Sequence, residues 1–166
     1  MYRITHAAII ALIFAAMAFA VFYLQGVLYL APCPLCTVDR GLFLLVALVS
    51  MASLIHNPHG TFLWIYTGLS SLFALMGIAV GMRHIWLQNL PADQVPECGP
   101  DLAYMLEVFP MMDVIKRLFT GAGQCVEISW TFYGITLPQQ TLLLFVALLL
   151  MIIYAHRQQV RASSKQ

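Results

Sequence analysis

Apolar and polar positions fall in blocks along this chain. Four uncharged blocks hold most of the apolar residues, at 7–30, 41–55, 61–82 and 135–155. A helix needs about 20 residues, each rising about 1.5 Å, to cross a hydrocarbon core about 30 Å thick. The first, third and fourth blocks meet that length. The second is short, 15 residues, and reaches across only if its helix begins earlier, near Leu35 or Cys36. The pattern predicts an all-α membrane protein, a single domain over residues 1–166. Its spans are expected at about 7–30, 36–55, 61–82 and 136–155, with outward loops at about 31–35 and 83–135. An early start to the second helix carries Asp39 and Arg40 into its first turns. Charges inside a span are costly, and by default they mark function.

Composition agrees. The chain is 61% hydrophobic and 9% charged, whereas soluble domains are about a quarter charged. The net charge of +1 gives no sign of nucleic-acid binding. Arg3 ahead of an apolar run, with Ala18-Phe19-Ala20 following, resembles a signal peptide and its cleavage site. The run continues past Leu24, longer than a signal peptide's apolar region, so an uncleaved span is expected.

Charge placement predicts orientation. Arg3 precedes the first span, and Arg157, Arg161 and Lys165 follow the fourth, whereas all seven acids lie between spans one and two or between spans three and four. Short basic ends read as cytoplasmic. Arg40 and Arg83, on the other side, weaken the bias. Both termini and the tight turn His56-Asn57-Pro58-His59-Gly60 are expected inside. All four cysteines then face outward, Cys33 and Cys36 in the first loop, Cys98 and Cys125 in the second. In a bacterium that side is the periplasm, where disulfides persist.

The second outer loop has a pattern of its own. Leu102, Met105, Leu106 and Phe109 follow helical spacing, with Asp101 as a cap and Pro110 as a stop. Met111, Ile115, Leu118 and Phe119 repeat it, opposite Asp113, Lys116 and Arg117. Such a short amphipathic helix can lie on a membrane or pack on its own loop. Gly121-Ala122-Gly123 provides a pliable tether just before Cys125.

Four cysteines permit several chemistries. Two structural disulfides would use them all. A zinc site would combine Cys33-x-x-Cys36 with two further ligands, but such sites usually carry two close pairs. Here 27 positions separate Cys98 from Cys125, without a clustered histidine, so no metal is expected. Reversible redox chemistry explains more. Cys36 sits where the second helix should start, and a helix N-terminus or a nearby cation stabilises a thiolate. Arg40 lies one turn on, on the same face. A dithiol at the membrane surface has a lipid-soluble quinone as its natural electron sink. His56 and His59 flank a Pro turn and read as solvated. The methionines read as packing, and Trp64, Trp86 and Trp130 as interfacial anchors.

The stretch Pro32-Cys-Pro-Leu-Cys-Thr-Val-Asp-Arg40 resembles the first outer loop of the disulfide bond formation protein B (DsbB) family. Gly123 to Gln140, "GQCVEISWTFYGITLPQQ", resembles the segment around that family's last cysteine and the start of its fourth helix. The order of spans and loops is similar over nearly the whole chain. The vitamin K quinone-reducing enzyme family, by contrast, carries its Cys-x-x-Cys late in the chain. The resemblance implies a four-helix bundle of the bacterial inner membrane that reoxidises a periplasmic DsbA-like dithiol oxidase and passes two electrons to ubiquinone or menaquinone. It implies disulfides Cys33–Cys36 and Cys98–Cys125. It further implies that the reduced partner attacks Cys98, that Cys125 then attacks Cys33, and that Cys36 is left beside the quinone with Arg40 and His84. Gln88 is a weaker candidate. Asp39 stands where the family pattern has a glutamate, and Gly99-Pro100 departs from the family around Cys98. That departure bears on which DsbA-like protein docks, including a dedicated partner of a paralogue.

Overall fold

The computed structural model describes residues 2–30, 33–90, 107–113, 130–132 and 134–163. Helix α1 runs Tyr2–Ala18 and continues as a π-helical stretch, Phe19–Gln25. Helix α2 spans Pro34–His56, α3 Thr61–Gln88 and α4 Leu137–Ser163. Each is long and apolar enough to cross a membrane, four such helices among the described residues. They form an antiparallel bundle in which α3 packs on α2 and α4, and α1 closes the ring against α2 and α4.

Helix α1 begins at Tyr2, five residues ahead of its uncharged run, because Tyr2 and His6 face the bundle. The Tyr2 hydroxyl hydrogen-bonds Ser53 Oγ on α2, and its ring packs on His6 at 4.5 Å. Helix α2 begins at Pro34, slightly before the expected start, because Cys33 caps it. The Cys33 sulfur accepts from the Cys36 N–H.

The core lies between the helices. Ile9 and Ile13 of α1, Leu42, Phe43, Val46 and Ala47 of α2, Ala74 of α3, and Phe145, Leu148 and Ile152 of α4 form one buried cluster. Phe43 and Phe145 stack with ring centroids 4.0 Å apart and planes 3° from parallel. The buried stripe of α3 is Leu63, Ser70, Ala74, Gly77, Gly81, His84 and Leu87. Steps of three and four keep it on one face, and its small residues let neighbours approach closely. At Gly77 a Cβ would collide with the Phe145 ring. The outer faces carry exposed apolar side chains such as Phe22, Leu48, Trp64 and Leu150, as a lipid-facing surface requires.

Asn57 ends α2 in the left-handed region (φ 44°), its N–H bonding Ser53 O at 3.0 Å. Gly60 (φ 58°) opens α3. The same turn is held by Gln159 Nε2 of α4, which donates to Pro58 O at 3.3 Å. At the opposite end, a two-residue hairpin precedes α4: β1 (Thr131–Phe132) pairs with β2 (Ile135–Thr136) across Gly134 (φ 81°). Helical spacing alone missed this hairpin. Thr136 Oγ1 donates to Gln88 Oε1 on α3 at 3.1 Å, and the Trp130 ring rests 5.8 Å from Phe19 of α1. In the second outer loop, residues 107–108 and 111–113 are helical on either side of Pro110. The rest of the expected loop helices, Cys98, Cys125 and the glycine tether lie outside the described residues.

Candidate active site

The site is built where α2 starts. Cys33 has extended backbone (φ −69°, ψ 160°) and occupies the cap position. Its Sγ accepts from the Cys36 backbone N–H at 3.3 Å. The unpaired amides at a helix start favour negative charge. The sequence reading assigned that benefit to Cys36; the geometry directs it at Cys33, because Cys36 is already inside the first turn. The two sulfurs are 2.7 Å apart. A covalent S–S bond is about 2.05 Å, so a small rotation joins or separates them.

His84 comes from the last turns of α3. It is buried at the end of the small-residue stripe, and its Nε2 lies 3.8 Å from Cys33 Sγ. Arg40, one turn beyond Cys36, reaches across to α1. Its Nη1 donates to Gln25 Oε1 of α1 at 3.0 Å. Gln25 closes the π-helical stretch, a kind of helical irregularity that often sits at functional sites. Asp39 faces inward, 2% exposed, and its Oδ1 has no hydrogen-bond partner among the described residues. A buried carboxyl oxygen without a partner is costly and calls for a functional explanation.

These groups surround a cavity of about 160 Å³ between α1, α2, α3 and the start of α4. Cys36, Asp39, Arg40 and His84 supply its polar wall, and Met17, Phe19, Leu24, Phe43 and Leu144 are among its apolar ones. An apolar cavity of about 150 Å³ holds one benzene-sized ring. Here a few polar groups line such a space, as in small-molecule sites.

Of the residues singled out from sequence, the fold brings Cys33, Cys36, Arg40 and His84 together. Cys98 and Cys125 lie outside the described residues. Gln88 is engaged by Thr136 and does not line the cavity. Sequence reasoning missed Gln25, although its signal was present: apart from tyrosine, it is the one polar side chain in the block at 7–30. It also missed Gln140 and Thr141, which line the cavity from the first turns of α4.

A four-span bundle with a dithiol at one membrane edge, opening on an apolar cavity with an arginine, defines a membrane thiol oxidoreductase. Comparison with known proteins agrees. A family model described as "Disulfide bond formation protein DsbB" matches residues 2–155. The chain is 49% identical over 130 residues to disulfide bond formation protein B of Hahella chejuensis, covering 78% of each chain. It is 46% identical to the protein of that name from Saccharophagus degradans, again over 78% of each. For the Chromohalobacter salexigens protein the identity is 48%, over 76% of this chain and 74% of the relative. No solved structure matches. The chain belongs to the DsbB family. It is a multi-pass membrane protein of disulfide bond formation and a disulfide oxidoreductase.

Proposed function

We propose that the protein reoxidises a DsbA-like periplasmic dithiol oxidase and delivers the electrons to a membrane quinone, ubiquinone or menaquinone. Its setting is the bacterial inner membrane, with both termini cytoplasmic. The observation that carries this reading is the shared cavity: Cys36, Arg40 and His84 face one ring-sized apolar space. A quinone fits the donor set. Its ring suits walls of Phe19, Phe43 and Leu144, and its carbonyl oxygens need donors that Arg40 and His84 provide. A bound quinone supplies a two-electron, two-proton sink, which balances conversion of two thiols to a disulfide.

The chain's own residues do the rest. Cys98 is the cysteine attacked by the reduced partner, and Cys125, released from Cys98, attacks Cys33. Cys36 then leaves as a thiolate on the cavity wall, where Arg40 offsets its charge. Support for the relay comes from Trp130. It stands five residues after Cys125 in the sequence and packs on Phe19 at the cavity wall. A quinone is also energetically apt. A DsbA-type pair lies near −120 mV and ordinary dithiols about 60–150 mV lower, so accepting DsbA's electrons is uphill by about 3–7 kcal/mol without a stronger oxidant.

The test is turnover by purified protein supplied with a reduced DsbA-like partner and either a ubiquinone or a menaquinone analogue. Quinol formed catalytically supports the reading. Two disulfides that stay inert under the same conditions would leave only a structural scaffold.

A further inference from the structure

We propose that the reduced Cys33–Cys36 pair and His84 form a redox-gated site for a thiophilic divalent cation, zinc or its heavier analogue cadmium. The sequence offers no histidine near the pair. The fold supplies one from 51 residues further on, its Nε2 3.8 Å from Cys33 Sγ. The two sulfurs and this nitrogen all lie within 4.8 Å of one another. With Zn–S near 2.3 Å and Zn–N near 2.0–2.1 Å, tetrahedral coordination places S and N about 3.6 Å apart and the two sulfurs about 3.8 Å apart. The Cys33–His84 distance already suits the ion. The sulfurs, at 2.7 Å, must separate by about 1 Å, which a side-chain rotation of half-buried Cys36 provides.

Charge favours the site. Two thiolates cancel a divalent cation, so binding adds no net charge at the edge of the membrane, where an uncompensated ion is expensive. Thiolate and imidazole ligands select zinc over magnesium or calcium. Three protein ligands leave a fourth position open, as in catalytic rather than structural zinc sites. Cys36 and His84 both line the cavity. Coordination joins the ion to two thiols and one neutral imidazole and releases two protons, with no change of oxidation state. The disulfide form cannot ligate, so the site exists only after the dithiol is reduced. Ion binding itself does not depend on quinone chemistry. Its consequence, withdrawal of the dithiol from oxidation, rests on the function proposed above.

The test uses full-length protein in detergent with Cys98→Ser and Cys125→Ser, so that one thiol pair remains. Reduced protein, freed of reductant without air, is titrated with cadmium chloride while the sulfur-to-cadmium charge-transfer absorption is followed. One saturating equivalent per chain is expected, reversed by EDTA and absent from the disulfide form. Cys36→Ser should abolish the band. His84→Ala, and the bulkier His84→Gln as a check on folding, should weaken binding at least about tenfold. Undiminished affinity in both histidine variants, or the absence of a saturable band, overturns the site. Zinc should also slow quinone reduction by the unmodified protein, reversibly with a chelator. A cadmium band in a protein that never reduces quinone would keep the metal site and sink the quinone reading.

Discussion

Replacing Gln25 with leucine removes the hydrogen-bond acceptor of Arg40 and little else. The Arg40 Nη1 to Gln25 Oε1 bond is 3.0 Å and part-buried. A hydrogen bond to a charged group contributes about 1.5–3 kcal/mol, and partial exposure of Arg40 argues for the lower end. If the bond aims the guanidinium at a carbonyl in the cavity, losing about 1.4 kcal/mol raises the apparent quinone KM about tenfold. The partner's KM should not move, because Gln25 acts through Arg40 at the cavity. Gln25→Glu keeps an acceptor and should retain most of the affinity. The assay is steady-state quinone reduction at varied quinone concentration. A double-mutant cycle with Arg40→Lys isolates the coupling, since residues in contact are non-additive by about 0.5–3 kcal/mol. A quinone KM unchanged in Gln25→Leu, or effects that simply add with Arg40→Lys, would refute the argument.

Other outcomes follow from the same geometry. Arg40→Lys keeps a cation but loses the planar fork. It should weaken quinone affinity without altering expression or thiol state; unchanged kinetics would make Arg40 a membrane-edge anchor only. Gly77→Ala pushes a Cβ into the Phe145 ring and should cost about 1–3 kcal/mol, read as faster thermal inactivation in detergent; an unshifted inactivation curve would contradict the packing. Cys125→Ser should trap a mixed disulfide between Cys98 and the partner; capture on Cys125 when Cys98 is replaced would reverse their roles. The Cys98–Cys125 link itself should contribute about 3.5 kcal/mol on the chain-entropy account, measurable as lost stability on its reduction. Reporter fusions at His59 and Gln166 should behave as cytoplasmic and one at Glu97 as exported; an exported Gln166 fusion would overturn the topology.

The four helices were legible because a span is a matter of length and missing charge, both visible in sequence. The second was legible only through its neighbours. A run of 15 apolar residues is too short, and Cys33 and Pro34 lie where its helix must begin. The hairpin before α4 was not legible. Two-residue strands leave too short a period, and Gly134 is the only cue. In the site, Cys36 and Arg40 are one turn apart and could be paired on paper. Gln25 could not, and His84 entered only through the family resemblance, because their approach depends on how α3 and α1 pack against α2. His84 arrives through the close approach that Ala74, Gly77 and Gly81 allow. Gln25 arrives where α1 becomes π-helical. Asp39 was visible as a charge inside a span, but its inward orientation follows from packing: it shares the buried face of α2 with Leu35, Leu42 and Val46.

The central claim is that electrons leave the Cys33–Cys36 dithiol through a quinone in the adjoining cavity. The most direct measurement is a single anaerobic turnover with Cys98→Ser/Cys125→Ser protein, reduced, freed of reductant and mixed with excess quinone. The account predicts one quinol per chain, formed in step with loss of two alkylatable thiols, and slowed in Arg40→Lys. Thiols that persist with no quinol formed, or a disulfide that appears without quinol, would contradict it.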